Sequence, residues 1–151
     1  MLAISRTATG CALALGFGLS SFSPGAALAE EPVPGGRLLV ELNKFEPAEG
    51  GGCRAYFLFK NDTGSSFEAF QMSLALFDKT GVIDRLLSVD AAPLPVARTT
   101  LKLFDIPGLA CEDIAQVLLH DFPACTPQNG TALDCFGLVD ISSRTPAALV
   151  E

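Results

Sequence analysis

The chain has 151 residues, with 17 acidic and 10 basic side chains, one histidine, no tryptophan and a formal net charge of −7. An acidic surface repels phosphate backbones and anionic lipid headgroups, so nucleic acid is excluded as a natural partner. The length fits one domain with a core of its own.

The first 29 residues read as a cleaved secretory signal. Arg6 precedes a short apolar run, Cys11 to Leu19, which Ser20, Ser21 and Pro24-Gly25 break. Ala27-Leu28-Ala29 then supplies small residues for a signal peptidase. The run is about half of the roughly 20 residues that a spanning helix needs, and no other stretch comes closer. Cleavage after Ala29 leaves residues 30–151 with nine bases against 17 acids, a net −8. Residues 30–36 read as a flexible entry, 37–143 as one domain and 144–151 as a frayed tail.

The body alternates with period two, the signature of strands. Leu38, Val40 and Leu42 form one side of a first strand, opposite Glu41 and Asn43. The glycines 50–52 read as a mobile link. In the next strand Cys53, Ala55, Phe57 and Phe59 share a face, and Arg54, Tyr56, Leu58 and Lys60 share the other. Asn61 to Gly64 is a turn. Phe70, Met72, Leu74 and Leu76 form a core stripe, and Asp78 to Gly81 turns it into V-I-D-R-L-L-S-V-D as a hairpin. Pro93 and Pro95 break the run, since proline gives no hydrogen bond to a ladder. R-T-T-L-K-L-F-D resumes, with Leu101 and Leu103 expected inward. Ile106 to Asp113 is a connection, Ile114 to Asp121 a buried strand, and Cys135 to Ser142 the last strand. About seven short strands and no clear helix predict an all-β, immunoglobulin-like β-sandwich.

Four cysteines remain after the signal: Cys53, Cys111, Cys125 and Cys135. An even number in an exported domain favours two disulfides. Three pairings are possible. The short spacing favours Cys125–Cys135, which leaves Cys53–Cys111. In the chain-entropy model these stabilise by roughly 3 and roughly 4 kcal/mol. The second pair would clamp one pole of the sandwich. No C-x-x-C occurs and no zinc-finger spacing is present.

Several segments carry a resemblance. F-L-F-K-N-D-T-G-S-S-F, L-A-L-F-D-K-T-G-V-I and T-T-L-K-L-F resemble the FxLYD-type immunoglobulin-like domains of exported bacterial proteins, from Leu38 to about Leu119. G-G-C-R-A-Y-F-L-F-K-N, K-L-F-D-I-P-G-L-A-C, V-L-L-H-D and A-L-D-C resemble small exported alphaproteobacterial proteins often labelled Tat-pathway-signal proteins. That resemblance implies a Gram-negative periplasmic setting and brings no catalytic residues. Arg6 stands alone where a twin-arginine signal has two, which favours Sec export.

Catalytic constellations are missing. His120 adjoins Asp121, but neighbours on a regular strand point to opposite faces. No G-x-S-x-G elbow, P-loop or calcium loop is present. The sequons at Asn61 and Asn129 read as turns. No enzyme activity, cofactor or metal is expected. The expectation is a non-catalytic periplasmic or secreted binding module, docking an envelope protein or component, with Tyr56 and Leu58 as a possible contact surface. The alternative is a small redox-active or thiol-dependent accessory protein using Cys125 and Cys135.

Overall fold

A computed structural model of the protein describes residues 36–151. The signal segment and residues 30–35 of the entry lie outside the described residues. Eight strands follow in order: β1 (Leu38–Ala48), β2 (Gly52–Asn61), β3 (Phe67–Phe77), β4 (Ile83–Asp90), β5 (Arg98–Ile106), β6 (Gln116–Pro127), β7 (Val139–Ser143) and β8 (Ala148–Val150). They form two four-stranded sheets, ordered β5-β2-β1-β7 and β4-β3-β6-β8. The helical content among the described residues is two single 3-10 turns, and no helix is long and apolar enough to cross a membrane. The immunoglobulin-like sandwich expected from the alternating strands is the fold.

Alternation builds the core. Leu38, Val40 and Leu42 of β1 meet Phe57 and Phe59 of β2, and Phe70, Met72, Leu74 and Leu76 of β3 close from the other sheet. Phe70 sits edge-on to Phe59, Phe67 and Phe122, with centroids 6.0, 5.9 and 5.3 Å away. Such edge-to-face contacts add to the burial of the rings.

The hairpin ends follow from local chemistry. Gly50 and Gly51 have φ of +75° and +78°, which side chains with a Cβ rarely adopt. These glycines are therefore the tight β1–β2 turn, and not the mobile link that the sequence suggested. At the β3–β4 turn, Asp78 accepts hydrogen bonds from the Thr80 amide, the Thr80 hydroxyl and the Val82 amide. Asn61 is fully buried. Its amide donates to the carbonyls of Ser65 and Leu94, and its oxygen accepts from the Thr63 amide and hydroxyl. The N-D-T turn is thus a buried clasp between two loops, and its asparagine is out of reach of solvent.

Three expectations need correction at the C-terminal end. The strand placed at Cys135 to Ser142 begins only at Val139, because the amides of Leu138 and Val139 both donate to the Cys135 carbonyl in a turn. The strand placed at Ile114 to Asp121 starts at Gln116 and runs on to Pro127. The tail after Ser143 is not frayed: β7 pairs parallel with β1, the chain crosses between sheets, and β8 pairs parallel with β6. Leu149 and Ala147 are buried there. The ordered domain therefore reaches Val150, and the strand count is eight. This crossing closes one side of the sandwich. On the other side, β4 and β5 are edge strands with no further partner among the described residues.

Candidate docking face

Two disulfides hold the poles. Cys53 bonds to Cys111 with Cα atoms 4.9 Å apart, and Cys125 bonds to Cys135 with Cα atoms 6.1 Å apart. Cys53 begins the second strand and Cys111 lies just before β6, as the spacing implied. Disulfides persist in oxidising compartments, so they mark a chain that folds outside the reducing cytoplasm. Cys125 and Cys135 are both buried. A thiolate attacking that bond needs access to a sulfur, and this surroundings denies it.

Tyr56 and Leu58 lie on the outer face of the β5-β2-β1-β7 sheet, half-buried, while Phe57 and Phe59 fill the core beneath. The antiparallel register sets Leu103 opposite Tyr56 and Leu101 opposite Leu58. Leu101 and Leu103 are 52% and 46% exposed. Alternation alone predicts these two leucines inward, and the structure places them outward. The cause is the register: they must share the face of Tyr56 and Leu58. Thr100, Lys102 and Phe104 take the inner side of β5, and Lys102 reaches along it to donate to the Ala92 carbonyl. The result is an apolar block of four side chains beside the free edge of β5.

Charged groups fix the rim of the block. Arg54 makes a two-pronged bridge to Asp105 at 2.6 and 3.2 Å. Lys60 pairs with Asp62 at 2.6 Å. The Tyr56 hydroxyl donates to Glu46, which also pairs with Lys44 at 3.3 Å. The Lys44 ammonium stands 5.1 Å from the centre of the Tyr56 ring, within cation–π range. These contacts shift protonation. The Tyr56 hydrogen bond, followed by Lys44, holds Glu46 below the ordinary carboxylate range. Arg54 does the same for Asp105. The Glu46 carboxylate raises the Tyr56 phenol above its ordinary value.

Tyr56 is the single tyrosine and there is no tryptophan, so phenolate absorbance reports on it alone. The titration midpoint is expected above the ordinary value of about 10, and Glu46→Gln should bring it back down. A raised phenol pKa stabilises the fold fully below the unfolded value and loses that contribution as pH rises through the folded value. A midpoint that does not respond to Glu46→Gln would refute the contact.

Beside the block, Glu46, Glu49, Arg54, Asp105 and Pro107 help line an open cleft of about 730 Å³ at the β1–β2 turn. No serine, threonine, cysteine or histidine lines it. His120 and Asp121 sit at a bulge where β6 slips against β3, between the pairs Leu74–Leu119 and Ser73–Asp121. The bulge leaves both exposed, so the expectation of opposite faces fails locally. A bulge inserts one unpaired residue and re-aims its neighbours. No hydrogen bond joins His120 to Asp121 or Ser73; Asp121 accepts from the Phe122 amide. Among the described residues no group of three or more His, Cys, Asp or Glu is placed to hold a metal ion.

Neither a protein-family model nor a curated protein sequence matches the chain. Among solved structures, the chain is similar to IrmA from Escherichia coli, with 17% identity and a TM-score of 0.54 over 70% of this chain and 90% of that one. At that identity the similarity speaks to the fold, and it agrees with a two-sheet sandwich.

Proposed function

We propose that this protein is an exported, periplasmic, non-catalytic binding module, which docks an envelope protein or component on the outer face of the β5-β2-β1-β7 sheet. One observation carries the reading. Tyr56 and Leu58, half-buried, and Leu101 and Leu103, exposed, form an apolar block beside a strand edge that has no partner among the described residues. Contiguous apolar surface with a polar rim marks interaction sites, and a free edge can accept a partner strand. The rim side chains are held by ion pairs, so the surface is ordered before a partner arrives. The signal-like segment 1–29 and the two disulfides support export. The resemblance to small exported alphaproteobacterial proteins favours the periplasm over full secretion. The thiol-dependent alternative has less support, because it needs access to Cys125 or Cys135 and both are buried.

Site-specific photo-crosslinking in a Gram-negative envelope tests this. A photoreactive residue at Leu103 should give one discrete adduct, which Leu58→Asp abolishes. The same residue at exposed Asp134 should give none. No adduct at Leu103, or identical adducts at both positions, would refute the docking face.

A further inference from the structure

Charge is not spread evenly over the two sheets. Strands β1, β2, β5 and β7 carry five bases and four acids; strands β3, β4, β6 and β8 carry one base and four acids. That one base, Arg85, is occupied: it pairs with Asp84 at 2.6 Å and donates to the Pro107 carbonyl. The turns that end the second sheet add Asp78, Glu112 and Asp113 against Lys79, and Lys79 lies 3.6 Å from Asp113. The strands of the first sheet thus carry a net charge of +1 and those of the second −3, because the second lacks bases to balance its acids.

The outer face of that sheet also has an apolar band. The register aligns Leu86, Ala75, Leu118 and Val150 across all four strands, with Leu86 exposed, Leu118 and Val150 half-buried and Ala75 the buried floor between them. The adjoining row holds Ile83 opposite Phe77. Leu86 and Ile83 are 64% and 51% exposed, and Val82 beside them is 60% exposed. Four strands span about 15 Å, enough for a segment of partner chain. Carboxylates border the band on both sides. Asp90 and Asp121 stand on one side, in register with Gln71 and Ser73, and on the other the β3–β4 turn carries Asp78 and brings Lys79 to 3.6 Å from Asp113.

We infer that this band is a second docking surface, and that its occupant is a protein segment with apolar side chains flanked by lysine or arginine. The inference rests on the binding-module reading and names the chemistry of a partner. Charge decides among the occupants. A second copy laid face to face would set carboxylate against carboxylate, and opposed like charges destabilise a pairing. Nucleic acid and anionic lipid are repelled for the same reason. A cationic segment gains from both the band and its borders, and electrostatic complementarity of this kind sets specificity and association rate.

The test titrates the purified exported chain with a short peptide of alternating lysine and leucine. Saturable binding is expected, weakened by salt. Leu86→Gln, and separately the pair Asp90→Asn with Asp121→Asn, should each weaken it about tenfold, the loss of one buried anchor. Leu133→Gln, at an exposed position in the connection between β6 and β7, should leave it unchanged. Thermal unfolding of each variant checks that the fold is retained, as exposed positions allow. Four results would overturn the inference: no binding; binding indifferent to Leu86→Gln; equal binding of an alternating glutamate–leucine peptide; or self-association of the chain that Leu86→Gln abolishes. If these arise while the Leu103 adduct persists, the cationic partner is lost and the binding-module reading survives.

Discussion

Phe70→Ala is expected to lower the unfolding free energy by about 3–5 kcal/mol, the range for truncating a buried phenylalanine. Phe70 has no exposed surface and touches rings from both sheets: Phe59 from β2, and Phe67 and Phe122 from β3 and β6. The cavity would lie at the sheet interface, where strands locked by ladders cannot collapse into it. Leu103→Ala is the control. Both residues belong to strands with apolar alternation, but Leu103 is outward and its truncation should change stability by less than about 0.5 kcal/mol. Urea unfolding of both variants distinguishes the two positions. Comparable losses would mean that the register of β5 against β2 is wrong.

Removing the Cys53–Cys111 bridge, by the pair Cys53→Ser and Cys111→Ser, should cost about 4 kcal/mol in the chain-entropy model. The bridge spans 58 residues and ties the start of β2 to the turn before β6, two elements in different sheets. Its loss frees β3, β4 and β5 from that closure in the unfolded chain. The single variant Cys53→Ser should also leave Cys111 as a reactive thiol, since Cys111 is half-buried while Cys53 is fully buried. An unchanged denaturation midpoint in the double variant would contradict a stabilising bridge.

The parts of this fold legible in the sequence are those set by local pattern. In β2 the apolar and mixed faces differ sharply, and Cys53, Ala55, Phe57 and Phe59 are all buried. The Asp78–Gly81 turn carries its own hydrogen bonds, so the β3–β4 hairpin could be read directly. Cysteine spacing also favoured, out of three possible pairings, the one that forms. What was not legible depends on which strands become neighbours. The two faces of β5 are Thr99, Leu101, Leu103 and Thr100, Lys102, Phe104. Hydrophobicity alone favours the leucines as core, yet pairing with β2 turns them out and lets the lysine stem lie inward. The S-S-R-T-P-A-A-L-V tail looks like a loop because its strands are short and Pro146 interrupts them. Its pairing with β1 and β6 comes entirely from partners about 100 and 32 residues away in sequence.

The candidate surfaces divide in the same way. Tyr56 and Leu58 could be named from alternation, because the mixed face of β2 carries two large apolar side chains that the core does not need. Their neighbours Leu101 and Leu103 could not, and neither could the Tyr56–Glu46 hydrogen bond, which the β1–β2 register creates by setting Lys44 opposite Tyr56 and Glu46 opposite Arg54. Net charge gave the sign of the whole molecule. It could not show that one sheet is nearly balanced and the other acidic, since charges distant in sequence meet on the same face.

The four cysteines Cys53, Cys111, Cys125 and Cys135 close the sandwich as two disulfides. Counting free thiols on the exported protein, unfolded without reductant, tests it most directly. Zero free thiols is the predicted result, with Cys53–Cys111 and Cys125–Cys135 recovered as the linked pairs. Two or four free thiols would contradict the claim and return the cysteines to the chemistry of the protein.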